Sequence, residues 1–234
     1  MSTRILALDT ATEACSAALL VDGELLERYQ VAPREHTSLL LPMVDELLAE
    51  AGLEVGQLDA IAFGRGPGSF TGLRIAAGLT QGLALGADLP VLPVSDLAAL
   101  ALQAHQRMGW SELMVCQDAR LQEFFVGAFR MDEEVGETSP VELWPEALVD
   151  AGDLIVKAAK FQRVVGSGWT TPGGQQARRA GMQVESGIQF PRAGDIARLG
   201  ALALARGEGL PAQMALPVYL RDQVAQKPGP RRTG

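Results

Sequence analysis

Residues 4–31 read RILALDTATEACSAALLVDGELLERYQV, and their reading decides the fold. RILALDT (4–10) is an apolar run of buried-strand length, and CSAALLVDGELLERYQV (15–31) divides at Asp22-Gly23 into two further strands. An Asp-Gly pair between apolar runs marks a tight hairpin, because glycine accepts positive φ at little cost. Working outward, HTSLLLPMVDELLAEAG (36–52) predicts a helix capped by Thr37 or Ser38 and stopped by Gly52, with Pro42 near its first turn. DAIAFG (59–64) and PVLPV (90–94) are strand-like. TGLRIAAGLTQGLALG (71–86) and SDLAALALQAHQR (95–107) are helical, the latter capped by Ser95. The order is β-β-β-α-β-α-β-α.

The second half repeats that order with little shared sequence. Strands are expected over 112–118, 122–131 and 137–143, then a helix over 145–160 interrupted at Gly152, with Pro145 in its first turn. RVVGSG (163–168) reads as a strand and its exit loop, 175–180 as a short helix, 182–185 as a strand and 194–207 as a long amphipathic helix. Two such halves predict a duplicated α/β fold. The Pro-, Gly- and Arg-rich end of the chain reads as a disordered tail.

Composition narrows the function classes. The 234 residues are 47% hydrophobic with a net charge of −8, enough for a well-buried core. Excess negative charge repels phosphate backbones, so the chain is not expected to grip nucleic acid by itself. The opening MSTRILALDTATEA has no basic segment before a long apolar one, and no apolar run approaches the roughly 18 residues of a membrane span. These features predict a cytoplasmic protein with no membrane association. Cys15 and Cys116 are too few for a disulfide framework and read as buried thiols. His36 and His105 lie too far apart in sequence to suggest a histidine-rich zinc site.

GRGPGSFTGLR (64–74) invites comparison with phosphate cradles, and it fails each one. A Walker loop needs GxxxxGK[ST], and this stretch has neither that glycine spacing nor a lysine. GxGxxG fails because its third glycine would be Ser69 or Thr71, and GxSxG fails because Ser69 follows Gly68 directly. What remains is backbone geometry: a turn at Pro67-Gly68 and a helix capped by Ser69 or Thr71. Gly78, Gly82 and Gly86 recur at four-residue spacing along that helix. Each interior glycine costs about 1 kcal/mol relative to alanine, and close approach of another backbone would offset it. That backbone is either the protein's own sheet or a helix from another chain. The 36–52 helix is apolar over more than half its circumference, wider than one sheet requires. Leu40, Met43 and Leu47 are therefore expected to face a partner, with Leu73, Arg74, Gly78 and Gly82 on the second helix.

LALDTATEACSAAL, GPGSFTGLR, QDARLQEFF (117–125), GSGW (166–169) and VYLRDQVAQK (218–227) together resemble the TsaB (YeaZ) family, over nearly the whole chain. The resemblance implies the sugar kinase/Hsp70/actin-like (ASKHA) fold in two lobes. The first would span 1–108, completed by 193–224, and the second 109–192, with a flexible tail at 225–234. It further implies an accessory role in forming threonylcarbamoyladenosine beside the tRNA anticodon. The catalytic partner would be the paralogue TsaD, the ATPase TsaE would dock on the pair, and tRNA would be met only through the complex. Alone, the chain would form a homodimer.

TsaD-like proteins carry a metal-binding His-x-x-x-His after a Pro-Val. Here PVSDLAAL places Asp96 and Leu100 at those positions, and a carboxylate with a leucine one turn away cannot make that site. Asp9, Thr10 and Thr12 resemble the superfamily's phosphate hairpin, with Ala11 in place of its glycine. Gly166 and Gly168 stand where an adenosine-binding glycine pair is often found, beside bulky Trp169. Asp118-Ala119-Arg120 reads as an internal ion pair or a turn-stabilising hydrogen bond, in preference to a ligand contact. These features predict no catalytic residue, no metal and no cofactor, with room for weak nucleotide binding only. The competing readings are a small-molecule kinase, which Ala11 opposes, and a metallopeptidase, which lacks its ligand pair.

Overall fold

A computed structural model of the chain describes residues 3–134 and 137–221. The first sheet has the order β3-β2-β1-β4-β5, built from β1 (Arg4–Asp9), β2 (Ala14–Val21), β3 (Glu24–Val31), β4 (Ala60–Gly66) and β5 (Val91–Ser95). The second has the order β10-β9-β6-β7-β8, from β6 (Glu112–Asp118), β7 (Glu123–Glu134), β8 (Glu137–Asp150), β9 (Arg163–Val165) and β10 (Gln183–Glu185). Each sheet has three antiparallel strands followed by two parallel to the first of them. The duplicated, two-lobed α/β fold expected from the repeat is therefore present. Asp22 (φ 52°) and Gly23 (φ 89°) make the hairpin turn with both residues left-handed, as the Asp-Gly pair requires.

Among the described residues six α-helices cover the sheets: α1 (His36–Ala51), α2 (Phe70–Ala87), α3 (Asp96–Met108), α4 (Ala151–Ala158), α5 (Pro172–Ala177) and α6 (Ala193–Ala205). On one face of the first sheet, α1 and α2 bury Leu40, Val44, Leu47 and Ala77 against Leu6, Leu8, Leu19 and Phe63. On its other face, Ile196 and Ala197 of α6 pack on Ile5, Ala7, Ala62 and Leu92. Leu97 and Leu100 of α3 reach instead to Leu113, Val115 and Phe129 of the second sheet. The closing helix of each half thus packs on the sheet of the other, which joins the lobes through buried side chains. A second-lobe core forms on the opposite face around Met114, Phe124, Leu154 and Trp169.

Three local expectations are corrected. The 145–160 helix begins only at Ala151, because 145–150 belong to β8, where Phe124 pairs with Val149 and Val126 with Ala147. Pro145 falls at a register shift on this edge strand, where a missing N–H costs little pairing. Asp150 then caps α4, accepting from Asp153 N–H at 2.9 Å. Neither Thr37 nor Ser38 caps α1: Glu35 occupies that position without a side-chain hydrogen bond, and Ser38 Oγ donates to Glu35 O. Pro42 is the seventh helical residue rather than a first-turn one. By contrast, Ser69 and Ser95 cap α2 and α3, and Gly52 ends α1 in the left-handed region. The tail expected at 225–234 lies outside the described residues.

Candidate functional site

The glycines of 64–74 let α2 press against the turn that follows β1. A Cβ on Gly72 would lie 1.9 Å from Thr10 O, and one on Gly68 would lie 2.4 Å from Ala11 O. Two hydrogen bonds fix this contact, Ser69 N–H to Ala11 O (2.7 Å) and Thr10 Oγ1 to Gly72 O (2.6 Å). The turn that resembles a phosphate hairpin is thus filled by the protein's own helix. Asp9, Thr10 and Ala11 are buried, and Ala11 N–H donates to Asp9 Oδ1 at 2.8 Å.

Gly64 gives room for two buried carboxyls. A Cβ there would fall 2.5 Å from Asp96 Oδ1 and 2.7 Å from Asp9 Oδ1. Gly66 N–H donates to Asp96 Oδ2 at 2.6 Å, while Asp9 Oδ2 and Asp96 Oδ1 have no hydrogen-bond partner. Burial pushes Asp9 up to about 6, although Ala11 N–H favours its charged form. Burial, reinforced by the negative charge of Asp9, pushes Asp96 well above the usual carboxylate range. Two adjacent buried carboxyls favour holding a proton between them. Among the described residues no group of three or more His, Cys, Asp or Glu could hold a metal ion.

Between the lobes lies a cleft of about 390 Å³. Of the five residues expected at a remnant nucleotide site, Thr12 alone lines it. Gly166 and Gly168 serve packing instead, since a Cβ on them would lie 2.2 Å from Cys116 O and 2.5 Å from Cys116 Sγ respectively. Trp169 is wholly buried with its indole N–H on Val165 O, filling the space beside them. Two of the cleft's arginines are engaged, Arg120 with Glu13 across the lobes and with Asp118, and Arg221 with Glu123, while exposed Arg34 also lines it. Asp118 accepts from Arg120 N–H at 2.9 Å, the turn-stabilising hydrogen bond read from the sequence, while their ion pair is solvent-exposed on the cleft wall and not internal. The β6–β7 turn beside them holds Arg120, Leu121 and Gln122 at φ 67°, 56° and 62°. Three successive non-glycine residues there cost about 1–2 kcal/mol each, and these contacts help hold them.

The expected partner face divides in two. Leu40, Met43, Leu47 and Leu73 are 1%, 8%, 0% and 1% exposed, so they belong to the protomer's own core and not to an open face. The broad apolar arc of α1 covers both the first sheet and the flank of α2. Arg74, Gly78 and Gly82 are exposed, and a Cβ on Gly78, Gly82 or Gly86 would meet nothing within 4 Å. Arg74 stacks on the Phe70 ring (3.8 Å) and donates from Nε to Tyr219 Oη (3.1 Å). A groove of about 410 Å³ runs beside this edge, between α2 and residues 215–219. Leu41, Leu85, Leu216 and Tyr219 are exposed apolar residues that sequence reasoning missed. The isolated apolar run LPVY (216–219) was the signal that could have found the last two.

Known proteins match this chain over most of its length. The family profile described as TsaD, tRNA N6-adenosine threonylcarbamoyltransferase, matches residues 29–205. The tRNA threonylcarbamoyladenosine biosynthesis protein TsaB of Escherichia coli (strain K12) is 39% identical, covering 96% of this chain and 97% of the relative. The protein of that name from Haemophilus influenzae is 37% identical, over 97% and 98% of the two chains. Among solved structures, an uncharacterized Pseudomonas aeruginosa protein, described as similar to peptidase YEAZ, is 44% identical. It superposes with a TM-score of 0.83, over 94% of this chain and 100% of its own. A second structure, YeaZ from the same organism, is 43% identical with a TM-score of 0.81, over 93% and 100% of the two chains. Identity of 37–39% over nearly the full length of two curated relatives, with a matching fold, leads to one assignment: the chain belongs to the TsaB family.

Proposed function

We propose that this chain is a non-catalytic subunit in the formation of threonylcarbamoyladenosine on tRNA, docking a TsaD-type catalytic paralogue along α2. The observation that carries the docking surface is the open edge of Gly78, Gly82 and Gly86. Three glycines in a helix cost about 1 kcal/mol each against alanine, and nothing in the protomer comes within 4 Å of a Cβ on any of them to offset it. A second helix seated there gains close backbone contact, with Leu85 and Tyr219 supplying apolar area at about 25 cal/mol per Å² before association costs. In isolation the same edge pairs two copies of the chain.

The non-catalytic assignment is supported by the filled turn at Asp9–Thr12 and by Asp96 and Leu100 at the expected metal-ligand positions. With a net charge of −8, tRNA is met only through the complex, and a TsaE-type ATPase docks on the assembled pair. We place the lobes at 1–108 with 193–224, and at 109–192. No described helix is long and apolar enough to cross a membrane.

The test is Gly82→Leu, with Gly78→Leu beside it, in titration calorimetry against the TsaD-type partner. Open space receives the new side chain and the helix gains propensity, so the Tm holds or rises while docking weakens at least tenfold. Unchanged affinity in both variants removes α2 from the interface.

A further inference from the structure

Residues 215–221 run as an extended strap from one lobe to the other, and each end is tied by side chains. At the first lobe, Gln81 Nε2 donates to Ala215 O at 3.2 Å, and Val218 N–H donates to Arg65 O at 2.7 Å. Gly66 (φ 108°) leaves space for the strap, since a Cβ on it would lie 2.8 Å from Val218 O. The Tyr219 ring sits 5.2 Å from that of Phe70, with its hydroxyl on Arg74. At the second lobe, Arg221 donates to Ala119 O at 3.0 Å and pairs with Glu123, both at the left-handed β6–β7 turn.

The strap has two working sides. Leu216 and Pro217 form the wall of the groove along α2, opposite Gly78. Leu220 and Arg221 form part of the wall of the interlobe cleft. Tyr219 belongs to both walls. On the first lobe it is held at Ala215, Val218 and Tyr219, although Leu216 and Tyr219 remain 54% and 40% exposed. Its far end is held to the second lobe by the contacts of Arg221.

We propose that residues 215–221 are a latch: the Arg221–Glu123 tie to the second lobe holds the strap in place, and the strap in turn completes the docking groove on α2. Movement between the lobes, or a ligand in the cleft that breaks the tie, then sets docking affinity through Tyr219. The inference rests on α2 being the docking edge. The latched fraction of molecules divides the apparent dissociation constant, so a fall from nearly all to about one fifth weakens docking about fivefold.

Self-association of the full chain, measured by sedimentation, tests this in Arg221→Ala, Glu123→Gln, the double variant and Gly82→Leu. Hydrogen exchange at the Val218 amide is followed in each. Both single variants are expected to raise the dimer dissociation constant about fivefold and to speed Val218 exchange. The double variant should match Arg221→Ala, which already removes both the Ala119 hydrogen bond and the Glu123 pair. If Gly82→Leu weakens the dimer while Arg221→Ala and Glu123→Gln do not, the latch is overturned and the docking edge stands. Additive losses in the double variant, or weakened association without faster Val218 exchange, also overturn the latch. A dimer insensitive to all four variants overturns the docking edge and the latch with it.

Discussion

Replacing Asp96 by Asn should stabilise this protein at alkaline pH, and the size of the gain follows from the buried pair around Gly64. A carboxyl whose native pKa is raised binds more protons folded than unfolded. Its stability contribution is therefore full below about pH 4 and declines as pH rises through the native value. For Asp9, moving from 3.8 to about 6 at about 1.4 kcal/mol per pH unit sums to about 3 kcal/mol lost by neutrality. Asp96 is raised too, by its own burial and by the charge of Asp9. Asp96→Asn keeps an oxygen for Gly66 N–H, offers an N–H toward Asp9, and removes the need for the fold to hold a proton between two carboxyls. Asp9 stays buried, so recovery at pH 8 is partial. For a chain of 234 residues each 1 kcal/mol recovered raises the Tm by about 2–4 °C. The assay is thermal unfolding of both proteins from pH 5 to pH 8. The gain should shrink on acidification, where Asp96 already carries its proton. Equal Tm values at pH 8, or a difference independent of pH, would refute the shared-proton account.

Gly72→Ala should cost at least about 3 kcal/mol in chemical denaturation, because its Cβ would sit 1.9 Å from Thr10 O and neither backbone can yield freely. Loss below about 1 kcal/mol would show that α2 can shift off the turn. Leu47→Ala should cost about 2–5 kcal/mol of stability by leaving a cavity, as expected of a core residue. A stable Leu47→Ala protein with weakened docking would return that side chain to an interface. Burial raises the Cys15 thiol to about 12, with the charge of Asp9 adding to it, and raises Cys116 as well. Both should resist a disulfide reagent in the native state and react on unfolding; rapid native labelling would contradict that burial.

Much of the fold was legible because its signals are local. Asp22-Gly23 encodes a left-handed turn, and Ser69, Ser95 and Gly52 sit where helix ends need them. The residues after Pro145 show why other elements were not. Pro-Glu-Ala-Leu-Val-Asp carries a helix-start signal, yet the unpaired length of β7 claims those residues as its partner strand. The candidate site was legible in part: the glycine run was singled out correctly as backbone geometry. The functions of Gly64, Gly68 and Gly72 became clear only once Asp9, Thr10, Ala11 and Asp96 stood against them.

The sequence alone determined the strand and helix order, the duplication, the hairpin, the absence of an intact phosphate motif and the family resemblance, because each depends on neighbours along the chain. Tertiary structure decided which apolar residues stayed outside. A helical pattern gives the width of an apolar arc, and only the surrounding elements show what covers it. Leu40, Met43 and Leu47 went inward because the sheet and α2 together cover that arc, while Gly78 and Gly82 were left facing open space. The latch depends on contacts between residues about a hundred positions apart, Arg221 with Ala119 and Glu123, and no local pattern encodes that proximity.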